Sequence, residues 1–139
     1  MSFLERIDEC NTHDLAAFRP FEVEGVRYGW VRHDLAERLA GFGEVFAVSA
    51  NAVVLSPALR DFAARSEAVE RAVRVLESEG RIVGRRDEFY PVTQAFAALP
   101  VLQIERAAVP HFGVLAFGVH MNAFVRTRNG LQMWVARRA

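Results

Sequence analysis

Gly118-Val119-His120-Met121-Asn122-Ala123-Phe124-Val125-Arg126, followed by Asn129-Gly130 and then Leu131-Gln132-Met133-Trp134-Val135-Ala136-Arg137, reads as two alternating strands around a turn. Asn-Gly is the strongest short-range signal for a two-residue hairpin turn, because both central residues must take positive φ. If Asn129-Gly130 is that turn, Phe124 faces Val135, Arg126 faces Met133, Val125 faces Trp134 and Asn122 faces Arg137. One face then carries His120, Asn122 and Arg137 beyond the apolar pair Phe124 and Val135. The other carries Met121, Ala123, Val125, Trp134 and Ala136, a composition expected to be packed.

Working towards the N-terminus, Leu102 to Ala108 reads equally as helix or strand, with Pro100 and Pro110 as punctuation. Glu88 to Val92 and Ile82-Val83, separated by Gly84-Arg85-Arg86, are expected to pair as a small ribbon. The clearest helix is Ser66 to Glu79, where Val69, Ala72, Val73 and Leu76 mark one face and Glu67/Arg71 and Glu70/Arg74 are favourably ordered ion pairs. Gly80 ends it. Ser56-Pro57 suggests an earlier helix start with Leu59, Phe62 and Ala63 facing inward. Glu44 to Val48 and Val53 to Leu55 are short strands, and Asp34 is expected to cap a helix carrying Leu35 and Leu39.

Phe21 to Val31 alternates around Glu24-Gly25, which predicts a hairpin with Glu22 opposite Arg27 and Phe21 opposite Tyr28. Ser2 and Glu5 form a capping box ahead of a first helix reaching Cys10. The pattern predicts an α+β fold: helices packed on a small mixed or antiparallel sheet, ending in a β-hairpin.

The chain has 139 residues, 52% of them hydrophobic, and its 17 basic residues, all arginine, balance 17 acidic ones. A domain of this size can bury a core without metal or disulfide support. The neutral total argues against a nucleic-acid or anionic-membrane partner. The longest apolar stretches are far short of the roughly 18 residues that span a bilayer. A single cysteine excludes an internal disulfide, and the N-terminus lacks a signal-peptide pattern, so the expected location is cytoplasmic.

Charge is not evenly spread. From Ala107 to Ala139 there is no acidic residue, whereas Arg126, Arg128, Arg137 and Arg138 are basic. Arg137 with His120 and Asn122 therefore forms a candidate anion site, since a guanidinium offers forked donors to phosphate and the imidazole and amide add others. These three are the expected substrate-binding residues; the alternative is a polar cluster facing another part of the fold.

Other motifs carry less. Cys10 and His13 have dyad spacing but lack the further ligands that a metal site needs. Gly41-Phe42-Gly43 follows a helix rather than a strand and lacks the third glycine of a dinucleotide fingerprint. Asp8-Glu9 and Asp87-Glu88 have no acidic companions a helical turn away. A winged helix over residues 67–88 would hold five arginines against six acids, which is not the basic surface DNA requires. No catalytic or metal-binding residue is expected in this chain.

The run from Gly118 to Val125, the Asn129-Gly130 turn and Leu131 to Arg138 resemble the opening hairpin of Nudix hydrolases related to thiamine pyrophosphokinase. Phe3 to Cys10, Pro20 to Gly29, Gly80 to Val92 with its Arg86-Asp87-Glu88-Phe89-Tyr90-Pro91-Val92, and Ile104-Glu105-Arg106-Ala107 are similar to the domain that precedes the Nudix domain in that subfamily. The resemblance implies an accessory domain over residues 1–112 and the first hairpin of a truncated Nudix domain over 113–139. It implies a whole protein that cleaves thiamine diphosphate-like or nucleoside diphosphate-like compounds with Mg²⁺, this chain shaping the substrate pocket or forming a homodimer contact. The glutamate-rich Nudix box is absent from these residues and would lie beyond Ala139, so the chain alone is expected to bind no Mg²⁺ and to be inactive. Its partners would be a diphosphate-containing small molecule and the remainder of the Nudix domain. The rival expectation is a non-catalytic binding or dimerisation domain whose apolar hairpin face is covered by a second chain.

Overall fold

Ser2 and Glu5 cap each other reciprocally: the Ser2 N–H donates to Glu5 Oε2 at 2.5 Å and the Glu5 N–H to Ser2 Oγ at 3.2 Å. They open helix α1, Phe3–Cys10. The computed structural model describes residues 2–10, 12, 14–118 and 121–135. A short 3₁₀ turn, Leu15–Ala17, leads into β1, Phe18–Val23, and β2, Val26–Arg32. Glu24 and Gly25 take φ of 52° and 76°, the paired positive values of a type I′ turn. Glu22 faces Arg27 as expected, but a bulge between Phe21 and Glu22 puts Phe21 opposite Gly29 rather than Tyr28.

Helix α2, His33–Leu39, follows without a loop. Arg32 occupies its cap position, so Asp34 lies inside the first turn and does not cap the helix. Strands β3, Phe46–Val48, and β4, Val53–Leu55, complete a four-stranded mixed sheet of order β2-β1-β4-β3. Its β1–β4 seam is parallel and the other two pairings are antiparallel.

Helix α3 runs Phe62–Ser78 as one piece, with the Asp61 carboxylate accepting from the Ala64 N–H at 2.8 Å. Pro57 therefore sits in a turn and starts no helix, and Phe62 and Ala63 are exposed, because the true cap lies four residues later. Val69, Ala72, Val73 and Leu76 are buried as the periodicity requires. Ser66, inside the helix, donates to the Phe62 carbonyl at 2.6 Å and accepts from the Gln103 N–H at 3.0 Å. That bond ties α3 to β6, Leu102–Glu105, which pairs antiparallel with β5, Phe89–Val92.

The expected ribbon between Ile82-Val83 and Glu88 to Val92 does not form; Ile82 is a buried core side chain in irregular backbone. After β6 come a 3₁₀ turn, Arg106–Ala108, and the single-turn helix α4, Val109–Phe112. Phe112 joins Phe21 and Phe46 in an aromatic trio with centroids 5.4 to 6.4 Å apart, at the centre of the core. A last hairpin consists of β7, Phe124–Thr127, and β8, Gly130–Met133. The fold is α+β.

Candidate functional site

The terminal hairpin turns one residue earlier than Asn-Gly chemistry suggests. Thr127 pairs with Gly130, so Arg128 and Asn129 form the turn, and Thr127 Oγ1 accepts the Asn129 N–H at 3.2 Å while donating to the Gly130 carbonyl at 3.0 Å. Each cross-strand partner moves by two places: Phe124 faces Met133, Val125 faces Gln132 and Arg126 faces Leu131. A shift of two preserves which face each side chain takes.

Asn122 is exposed in irregular backbone just ahead of β7, while His120 and Arg137 lie outside the described residues, as does the proposed Asn122–Arg137 pairing. The face expected to be packed is open: Met121 is 93% exposed and Trp134 74%. Phe124, Leu131 and Met133 are exposed on the opposite face. His13, the partner suggested for exposed Cys10, also lies outside the described residues.

Two sequence stretches singled out above clasp one another. The Arg106 N–H donates to the Glu88 carbonyl at 2.8 Å, and the Arg106 guanidinium reaches Glu88 Oε2 at 2.6 Å and stands over the Tyr90 ring at 5.9 Å. Glu105 is completely buried; its Oε1 accepts from the Arg86 N–H at 2.7 Å and from the Ala107 N–H at 3.4 Å. The clasp fixes the loop before β5, in which Asp87 takes a positive φ of 55°.

Three acidic side chains meet on an arginine. Glu70, Glu77 and Asp87 converge on Arg85, whose guanidinium nitrogens lie 2.8, 3.2 and 2.6 Å from their oxygens. Burial opposes charge on Arg85, and the hydrogen bonds it donates to Asp87, Glu70 and Glu77 outweigh it, holding the guanidinium above its usual range. Among the described residues no cluster of three His, Cys, Asp or Glu could hold a metal ion.

A cleft that no local pattern announces lies between the end of β2, the end of α3 and α4. It encloses about 350 Å³ and is lined by Arg32, Asp34, Leu35, Arg81, Pro110 and His111. Arg32 Nε donates to Asp34 Oδ1 at 3.2 Å. Burial pushes the Asp34 carboxyl up, but that bond, with the Leu35 backbone bond behind it, keeps it below its ordinary 3.8. The three positively charged or donor side chains come from residues far apart in the chain, so only the fold brings them together.

Residues 2–116 match the family model described as a domain of unknown function (DUF4743). The chain belongs to this family. The DUF4743 match contains the sheet, the clasp and the cleft, and stops before the hairpin. Among characterised proteins the chain is similar to "Nudix hydrolase 20, chloroplastic" of Arabidopsis thaliana, 33% identical over 148 residues covering 99% of this chain and 40% of that protein. It is similarly related to "Nudix hydrolase 24, chloroplastic" of the same plant, 33% identical over 141 residues covering 99% of this chain and 39% of that protein. The chain thus spans about two fifths of the length of the curated relatives it matches, and these similarities relate it to Nudix proteins. No helix among the described residues is long and apolar enough to cross a membrane.

Proposed function

We propose that this chain is the N-terminal accessory region of a Nudix-type pyrophosphohydrolase acting on thiamine diphosphate-like or nucleoside diphosphate-like compounds, residues 1–112 forming the accessory domain and 113–139 the first hairpin of the catalytic fold. The hairpin carries the reading. The core of the domain closes around Phe21, Phe46 and Phe112 without it, while β7 and β8 expose apolar side chains on both faces. A two-stranded ribbon of this kind is marginal alone and calls for further sheet to cover it. Similarity to Nudix hydrolases along 99% of the chain supports a Nudix sheet as the one it would join. In this reading the carboxylates for Mg²⁺ come from sequence outside these residues, and His120, Asn122 and Arg137 contact substrate phosphate.

The test has two parts. The purified 139 residues are expected to release no phosphate from thiamine diphosphate with Mg²⁺, and measurable turnover would contradict the accessory role. The reading frame past the codon for Ala139 is expected to encode a glycine and spaced glutamates; a stop codon there removes the pyrophosphohydrolase reading.

The same exposed hairpin supports a second reading, a self-contained dimerisation domain. It requires concentration-dependent dimers in light scattering that are lost in Trp134→Ser, and a strict monomer at high micromolar concentration rejects it.

A further inference from the structure

We infer that the cleft between α2, the end of α3 and α4 is a phosphate-recognition site, taking a diphosphate or similar polyanion on Arg32, Arg81 and His111. The inference goes beyond the pyrophosphohydrolase reading and does not depend on it, because the site is complete within the DUF4743 match.

The backbone at each donor is anchored by the fold. Arg32 ends β2, where Phe18 pairs with it across the hairpin, and its backbone leads straight into α2. Arg81 follows Gly80, whose φ of 70° reverses the chain so that the Arg81 N–H closes on the Leu76 carbonyl at 2.9 Å, and the next residue, Ile82, is anchored in the core. His111 precedes Phe112, the buried centre of the aromatic trio. Preorganised backbone of this kind spares a ligand the cost of ordering its own site.

The charges left open favour an anion. Arg32 spends its Nε on Asp34, and Arg81 comes no nearer to Glu79 than 3.5 Å, at Nε. Glu79 is already engaged by both Nε and Nη2 of Arg38. Among the described residues, the terminal nitrogens of Arg32 and Arg81 and the His111 imidazole have no hydrogen-bond partner, and all three residues line the same cleft. Asp34 is the single carboxylate in the lining and is neutralised by Arg32. Guanidinium forks match phosphoryl oxygens in pairs. The volume, about 350 Å³, lies at the lower end of small-ligand clefts, roughly 300–1,000 Å³.

Calorimetric titration of the full 139-residue chain with inorganic diphosphate tests the site. Binding is expected, with affinity about tenfold weaker in Arg81→Gln and in Arg32→Gln, and unchanged in Arg60→Gln, which removes an equal charge outside the cleft. All three positions are exposed, and circular dichroism checks that each variant folds. No binding, or equal weakening by Arg60→Gln, overturns the proposal. Parallel titrations with thiamine diphosphate and with thiamine identify the source of the phosphate. Equal affinity for the two diphosphates makes the cleft a site for the free anion, tighter binding of the organic one makes it the phosphate end of a larger site, and equal binding of thiamine overturns phosphate recognition.

Discussion

Gly29 of β2 and Gly113 at the end of α4 lie back to back, so close that neither position has room for a side chain. A Cβ on Gly29 would overlap the Phe112 carbonyl oxygen, and one on Gly113 would stand 2.5 Å from the Trp30 carbonyl oxygen. Gly113 also takes φ of 57°, a left-handed conformation that terminates α4. The pair brings α4 onto the sheet and thereby seats Phe112 in the core and His111 in the cleft.

Gly29→Ala is therefore expected to lower unfolding free energy by about 1–3 kcal/mol, the usual cost of overpacking against backbone that cannot yield. Gly113→Ala should cost at least as much, since strain in φ adds to the clash. Urea denaturation measures both; a midpoint unchanged in either variant would show that α4 can lift away.

Glu105 offers a sharper contrast between two replacements. Glu105→Ala leaves the part-buried N–H groups of Arg86 and Ala107 without their acceptor and should cost about 1 kcal/mol. Glu105→Gln retains an amide oxygen for them and should cost less. Hydrogen exchange at the Arg86 amide reads the bond directly, with protection lost in the alanine variant and kept in the glutamine variant.

The Arg38–Glu79 pair sets a pH dependence. The hydrogen bond from Arg38 holds the Glu79 carboxyl below its ordinary 4.5. A carboxyl lowered on folding contributes stability that is present above its unfolded pKa and is lost as pH falls through the folded one. Melting temperatures of the wild type and Arg38→Gln should therefore differ most above pH 4.5 and converge below it. A gap that stays constant to pH 3 would assign the effect to Arg38 packing on Phe42, 4.5 Å from its ring centroid, rather than to the pair.

Hairpin register is open to direct observation. Cross-strand nuclear Overhauser effects should join Phe124 to Met133 and Val125 to Gln132. Effects joining Phe124 to Val135 instead would restore a turn at Asn129-Gly130.

In the longer protein proposed above, Arg137→Ala should raise KM more than it lowers kcat, because a phosphate held equally in ground and transition states contributes uniform binding. An unchanged KM removes Arg137 from the substrate site.

What was legible in the sequence was local. The buried face of α3, the Ser2/Glu5 capping box and the Glu24-Gly25 turn follow from residues within a few positions of one another. The errors arise where a nearby competitor wins. Asp61 displaces Pro57 as the start of α3, and Thr127, by bonding both ways across the turn, moves the hairpin one place from the Asn129-Gly130 optimum. Pairing of β5 with β6 rather than with Ile82-Val83, and the meeting of Arg32, Arg81 and His111, depend on contacts between residues distant in the chain. No periodicity records those. Of the three expected phosphate-binding residues, only Asn122 lies among those described, exposed beside β7.

The parallel seam between β1 and β4 has a kinetic consequence. The β1–β2 and β3–β4 ladders each close over a short turn and can form early, on microsecond timescales typical of hairpins. Pairing Phe21 with Val53 must wait until the chain between them, including α2, has been gathered, and its entropy is lost before the seam returns any contact energy. Refolding speed should thus respond to that non-local step, and a shorter connection between β2 and β3 would quicken it with little change in the barrier to unfolding.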